Sequence, residues 1–123
     1  MPREGNDIVH LWDMLHAARG IELAVVGLGL EHYLEDEDLR MSVERRIEII
    51  GEAARRVSES FKDAHPEIPW RRMIAQRNVL AHEYDEVDDR LMWRVIAENI
   101  PQLVRTLEGL LTTQPPPDPE PGA

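Results

Sequence analysis

The chain has 123 residues, no cysteine and a formal net charge of −10, with 24 aspartates and glutamates against 14 lysines and arginines. That length suits one domain with a respectable core, and the lack of cysteine excludes disulfides and thiolate metal sites and gives no sign of an oxidising compartment. The acidic balance argues against broad, non-specific nucleic-acid binding, in which phosphate contacts dominate.

The start, Met-Pro-Arg-Glu-Gly-Asn-Asp, lacks the apolar core of a signal peptide. The longest apolar run, Leu23 to Leu30, contains two glycines and falls far short of the roughly 20 residues needed to cross a bilayer. A soluble, cytoplasmic protein without membrane segments is expected. Asn6 or Asp7 can cap a first helix, because Ile8, Leu11, Trp12, Leu15, Ala18, Val25 and Leu28 then recur near three-to-four spacing. This helix is expected over Asp7–Gly29, with Gly20 inside it at a modest propensity cost. His10 and His16 are six apart, not the four that stack two ligands on one helix face, so they read as ordinary polar positions.

After a short turn of helix at Glu31–Glu35, Asp36 or Asp38 can cap a long helix over Asp38–Lys62. Its stripe is Leu39, Val43, Ile47, Ile50, Ala54, Val57 and Phe61. Opposite charges four apart, such as Glu52 and Arg56, mark a solvated wall, and Gly51 in mid-helix permits close approach of a neighbour. His65-Pro66-Glu67-Ile68-Pro69 is a turn, since each proline disfavours helix in the residue before it. Pro69 suits the start of a third helix carrying Trp70, Met73, Ile74, Val79 and Leu80.

The carboxylates of Asp85-Glu86-Val87-Asp88-Asp89 suit the N-terminus of a fourth helix, in which Leu91, Val95, Ile96, Ile100, Leu103, Val104, Leu107 and Leu111 form the stripe. Pro101 is expected to kink it. No stretch alternates apolar and polar residues with β-branched enrichment, so no sheet is expected. The fold class is all-α, a bundle of four main helices plus short turns over residues 1–112. Residues 113–123 include Gln-Pro-Pro-Pro-Asp-Pro-Glu-Pro-Gly-Ala and read as a disordered, proline-rich tail.

The third helix leads into Arg77-Asn78-Val79-Leu80-Ala81-His82-Glu83-Tyr84, where a guanidinium, an amide, an imidazole and a phenol crowd together. No acidic residue falls between Ile68 and His82, whereas Arg71, Arg72 and Arg77 do, giving a locally positive segment. On an ideal helix Asn78 and His82 share a face, while Arg77 and His82 diverge by about 140°. Their cooperation requires either that the helix end near Ala81, turning His82 back, or that a second copy complete the site across a two-fold axis. An arginine fork can hold a phosphate and a histidine can shuttle a proton near neutrality, so together they can cleave RNA without metal through the ribose 2′-hydroxyl. Asn78 can orient either group. The blander reading has Arg77 and His82 capping a helix end and pairing with Glu83, Asp85 or Glu86. It is favoured by the residues alone.

The string Arg77-Asn78-x-x-x-His82-x-Tyr84 resembles the Arg-x4-His-x-Tyr motif of the HepT-like family within the HEPN superfamily of ribonucleases. The likeness extends in order through Val43-Glu44-Arg45-Arg46-Ile47-Glu48-Ile49-Ile50-Gly51-Glu52-Ala53, Pro69-Trp70, Val87 through Trp93 and Ile100-Pro101-Gln102-Leu103, about Asp7 to Leu111 in all. The resemblance implies a HEPN-like helical homodimer, a toxin ribonuclease free of metal and cofactor, with Arg77 and His82, assisted by Asn78, in a cleft between protomers. It further implies an RNA substrate and a nucleotidyltransferase antitoxin of the MntA type, which transfers AMP to Tyr84. Bulk and negative charge there would occupy the groove that RNA phosphate needs. The alternative is a non-catalytic helical module that binds nucleotide or a partner.

Overall fold

A computed structural model describes residues 4–82 and 88–112. The expected tail at 113–123 and Tyr84 lie outside the described residues, as do Glu83, Asp85 and Glu86. In order, the helices are α1 (Glu4–Val25), α2 (Leu30–Glu35), α3 (Glu37–Arg56), α4 (Glu59–Ala64), α5 (Trp70–His82) and α6 (Asp89–Arg94). A π-helical turn at Val95–Asn99 then joins α6 to α7 (Ile100–Leu111). Among the described residues there is no strand, and the four long helices α1, α3, α5 and α7 are those the periodicity predicts, although α1 ends at Val25, short of the expected Gly29, and Gly27 turns the chain there with φ 77°.

Helix α3 lies at the centre, packed against α1 on one side and α5 on another, while α7 covers α1. The apolar stripes meet there. Leu11, Met14, Leu15, Ala18 and Ile21 of α1 close on Val43, Ile47, Ile50 and Ala54 of α3 and on Leu103, Val104 and Leu107 of α7. Burial of the leucine, isoleucine, valine and methionine side chains among them contributes about 1.5–3 kcal/mol each. No described helix is long and apolar enough to cross a membrane.

Three expectations need correction. The helix expected over Asp38–Lys62 breaks at Val57, whose backbone is extended, and restarts with Ser58 as the cap of α4, its side chain accepting from Phe61 N. Asp7 does not cap α1. It sits inside that helix, 1 % exposed, and its carboxylate accepts from Ser58 N at 2.8 Å and Ser58 Oγ at 2.6 Å. A charge-assisted pair of bonds thus ties the α3–α4 elbow to the first helix, which is how a buried carboxylate is tolerated. Leu91, expected in the core stripe, is 55 % exposed, and its neighbour Met92 is buried instead.

Other expectations are met. Asp36 caps α3, its Oδ1 accepting from Leu39 N at 3.0 Å. Asp88 caps α6 by accepting from Arg90 N and Leu91 N. Just ahead of Pro101, where a kink is expected, lies the π turn, in which Ile100 N–H donates to Val95 O, five residues back. Pro101 then falls in the first turn of α7, where a missing N–H costs little.

Candidate active site

The position of Arg77 is set by a glycine on the central helix. At Gly51 a Cβ would collide with Arg77 Cβ and would lie 2.7 Å from the Met73 carbonyl oxygen, so α5 rests directly on the backbone of α3. The expected close approach at Gly51 is therefore the α3–α5 crossing. It delivers the Arg77 stem, half-buried, to the neighbour of Gly51 in sequence, Glu52.

Arg77 Nη2 lies 3.5 Å from Glu52 Oε2, and its Nη1 donates to Asn78 Oδ1 at 3.2 Å. Glu52 also accepts from Arg55 Nη2 at 2.7 Å and from Arg56 Nε at 3.1 Å. The bond from Arg55 is the main cause that holds the Glu52 carboxyl down at about 2, with Arg56 and the charge of Arg77 adding to it. The expected Glu52–Arg56 pair is present, but as one limb of a cluster of three guanidiniums on one carboxylate.

This cluster edges an open groove of about 250 Å³ between α1, α3 and α5, lined by Asp13, Arg45, Glu48, Glu52, Arg56 and Arg77. Three cations face three anions there. The positive segment read from Ile68 to His82 is thus partly neutralised in space, because α3 brings a carboxylate to Arg77 from 25 positions away in the chain. Arg71 and Arg72 remain exposed.

Helix α5 continues through His82. His82 is the last residue of that helix, one position past Ala81, and on helical register the positions of Arg77 and His82 differ by about 140°. Asn78 lies between them. Its position shares the His82 face and its side-chain oxygen engages Arg77. Tyr84, the expected modification site, is outside the described residues. Among the described residues no group of three or more histidine, aspartate or glutamate side chains is placed to hold a metal ion. Sequence reading missed Asp13, Arg45 and Glu48 as groove residues; the only signal was their place on the polar faces of α1 and α3.

Fold and site define an all-α domain in which one helix presents an arginine and an asparagine beside a charged groove and reaches its histidine one turn on. Residues 14–110 match the family model described as "Ribonuclease HepT-like". The chain belongs to the HepT-like ribonuclease family. It is 40% identical over 110 residues to a Thermococcus cleftensis protein named "Probable ribonuclease HepT", covering 89% of this chain and 98% of that one. A candidate RNase of Methanocaldococcus jannaschii is 31% identical over 98 residues, covering 80% of this chain and 90% of the relative. Another, from Caldanaerobacter subterraneus, is 33% identical over 87 residues, covering 71% and 78%. No solved structure matches the chain.

Proposed function

We propose that the protein is a metal-independent toxin ribonuclease working as a homodimer, with Arg77 and His82 of facing protomers around one RNA phosphate. The observation that carries this reading is the helical run of α5 from Trp70 to its last residue, His82, along which the positions of Arg77 and His82 lie about 140° apart. A two-fold axis beside α5 supplies each arginine with a histidine.

In this mechanism His82 takes the proton of the ribose 2′-hydroxyl, and the 2′-oxygen attacks phosphorus. The P–O5′ bond breaks, the 5′-oxygen leaves with a proton, and the products end in a 2′,3′-cyclic phosphate and a 5′-hydroxyl. Arg77 exchanges Glu52 for a phosphoryl oxygen and stabilises the charge that develops there, while the Asn78 amide fixes the guanidinium. A nucleotidyltransferase antitoxin silences the site by moving AMP from ATP to the Tyr84 hydroxyl, releasing pyrophosphate.

The test is RNA cleavage by protein purified free of antitoxin and shown unmodified by intact mass, compared with Arg77→Ala and His82→Ala. Wild type is expected to cut in the presence of chelator and to leave cyclic phosphate ends; strict metal dependence rejects the mechanism. Mass added by co-expressed antitoxin and lost on Tyr84→Phe tests the silencing step. A second reading, a non-catalytic module, is favoured by the pairing of Arg77 with Glu52. Growth arrest on expression that disappears with His82→Ala separates the two.

A further inference from the structure

Helix α5 has a second cation on the face of its histidine. At 100° per residue Arg71, Ala75, Asn78 and His82 fall within about 60° of one another, whereas Arg77 lies on the side turned to α3. Arg71, Ala75 and Asn78 are all exposed. From Arg71 to His82 the helix rises about 16 Å, the span of about five phosphates of a stacked strand and fewer of an extended one. With only an alanine between them at mid-span, arginine and amide mark out a flat track that contains no carboxylate of its own.

The surroundings of the two arginines differ in a way that matters to a polyanion. Arg77 is held by Glu52, so a phosphate there must displace a carboxylate. Among the described residues Arg71 has no ion-pair partner. It opens on a groove of about 590 Å³ between α4 and α5, whose charged lining is Glu59, Lys62, Asp63, Arg71 and Arg72. Lys62 and Glu59 neutralise each other at 3.6 Å, which leaves Arg71 and Arg72 facing one further carboxylate. On a chain of net charge −10 this is a place where an RNA backbone meets an excess of positive charge without first breaking a pair.

We propose that Arg71 is a substrate-positioning residue that binds a phosphate of single-stranded RNA several nucleotides from the bond cleaved at His82, so that the α5 face sets a minimum substrate length. This rests on the ribonuclease reading, and its test separates the two. Binding is measured by fluorescence anisotropy on the intact protein carrying His82→Ala, with an oligouridylate of about 12 nucleotides and with a dinucleotide.

Arg71→Ala is expected to weaken the long oligomer about three- to tenfold and to lower the slope of log affinity against log salt by about 0.7, the loss of one phosphate contact. Dinucleotide binding should not change. Arg71→Lys should restore most of the affinity, Arg71→Gln should match Arg71→Ala while keeping a helix-forming stem, and Arg105→Ala on α7 should have no effect. In cleavage, Arg71→Ala should raise KM for the long substrate and leave kcat, and the dinucleotide, untouched. Equal affinity of Arg71→Ala and parent for the long oligomer overturns the proposal, as does an equal loss on both lengths. Failure of the wild type to cleave RNA sinks the ribonuclease reading, and the anisotropy series still decides whether Arg71 holds phosphate.

Discussion

Replacing Gly51 by alanine adds one methyl group at the α3–α5 crossing. The new Cβ would sit 2.7 Å from Met73 O, against the roughly 3.5 Å of an ordinary contact, and would overlap Arg77 Cβ. The helices must part by about 0.8 Å at the carbonyl and by more at Arg77, because neither obstacle can rotate away. Overpacking of this kind costs about 1–3 kcal/mol, offset by about 1 kcal/mol of improved helix propensity. A net loss of about 1 kcal/mol lowers the melting temperature of a domain near this size by about 4–8 °C. Activity should suffer more, since a misplacement of about 1 Å can cost about 100-fold in rate.

Gly20→Ala is the matched comparison. Its Cβ would meet only the end of the flexible Arg46 side chain, which can move aside, so the propensity gain should leave stability equal or higher. The assay is thermal unfolding followed by circular dichroism, with RNA cleavage on the same preparations. Should Gly51→Ala prove as stable as wild type and as active, the direct seating of α5 on α3 is wrong.

Asp7→Ala removes both acceptors of the Ser58 amide and hydroxyl at a buried elbow and should cost about 2–3 kcal/mol in urea unfolding, more than Ser58→Ala, which loses about 1 kcal/mol as a cap. Glu52 is charged more readily in the folded protein than in the unfolded chain, so its contribution is complete above about 4.5 and lost as pH falls toward about 2. Glu52→Gln should flatten that part of the acid unfolding curve and, by freeing three guanidiniums, tighten RNA binding at neutral pH. Glu44 runs the other way. Burial, and then the charge of Asp89, raise its carboxyl pKa above the ordinary 4.5, so stability falls as pH rises from about 4.5 through the raised value, and Glu44→Gln should remove the fall.

The long helices were legible because their apolar residues keep a three-to-four spacing that only a helix satisfies. The break at Ser58 was not, since Val57 and Phe61 continue the spacing across it while the interruption is held by Asp7, 51 positions away. Asp7 looked like a cap for the same reason: a carboxylate near a helix start has two uses, and only the packed fold selects one. In the site, the divergence of Arg77 from His82 followed from helix geometry alone. The pairing of Arg77 with Glu52 did not, although Gly51 beside it marked where the two helices touch.

The widened turn before Pro101 makes two residues of the α6–α7 rod interdependent. Shortening Val95–Asn99 by one residue would restore ordinary α-helical winding, but the proline ring would then press on the carbonyl four residues back. Changing Pro101 alone would leave a wide turn with nothing to accommodate. The deletion and the substitution should each cost more alone than they do together, a negative coupling readable in a double-mutant cycle. Length and composition of this rod are therefore a single unit of change, and an alteration that respects only one of them twists α7 out of phase with α1.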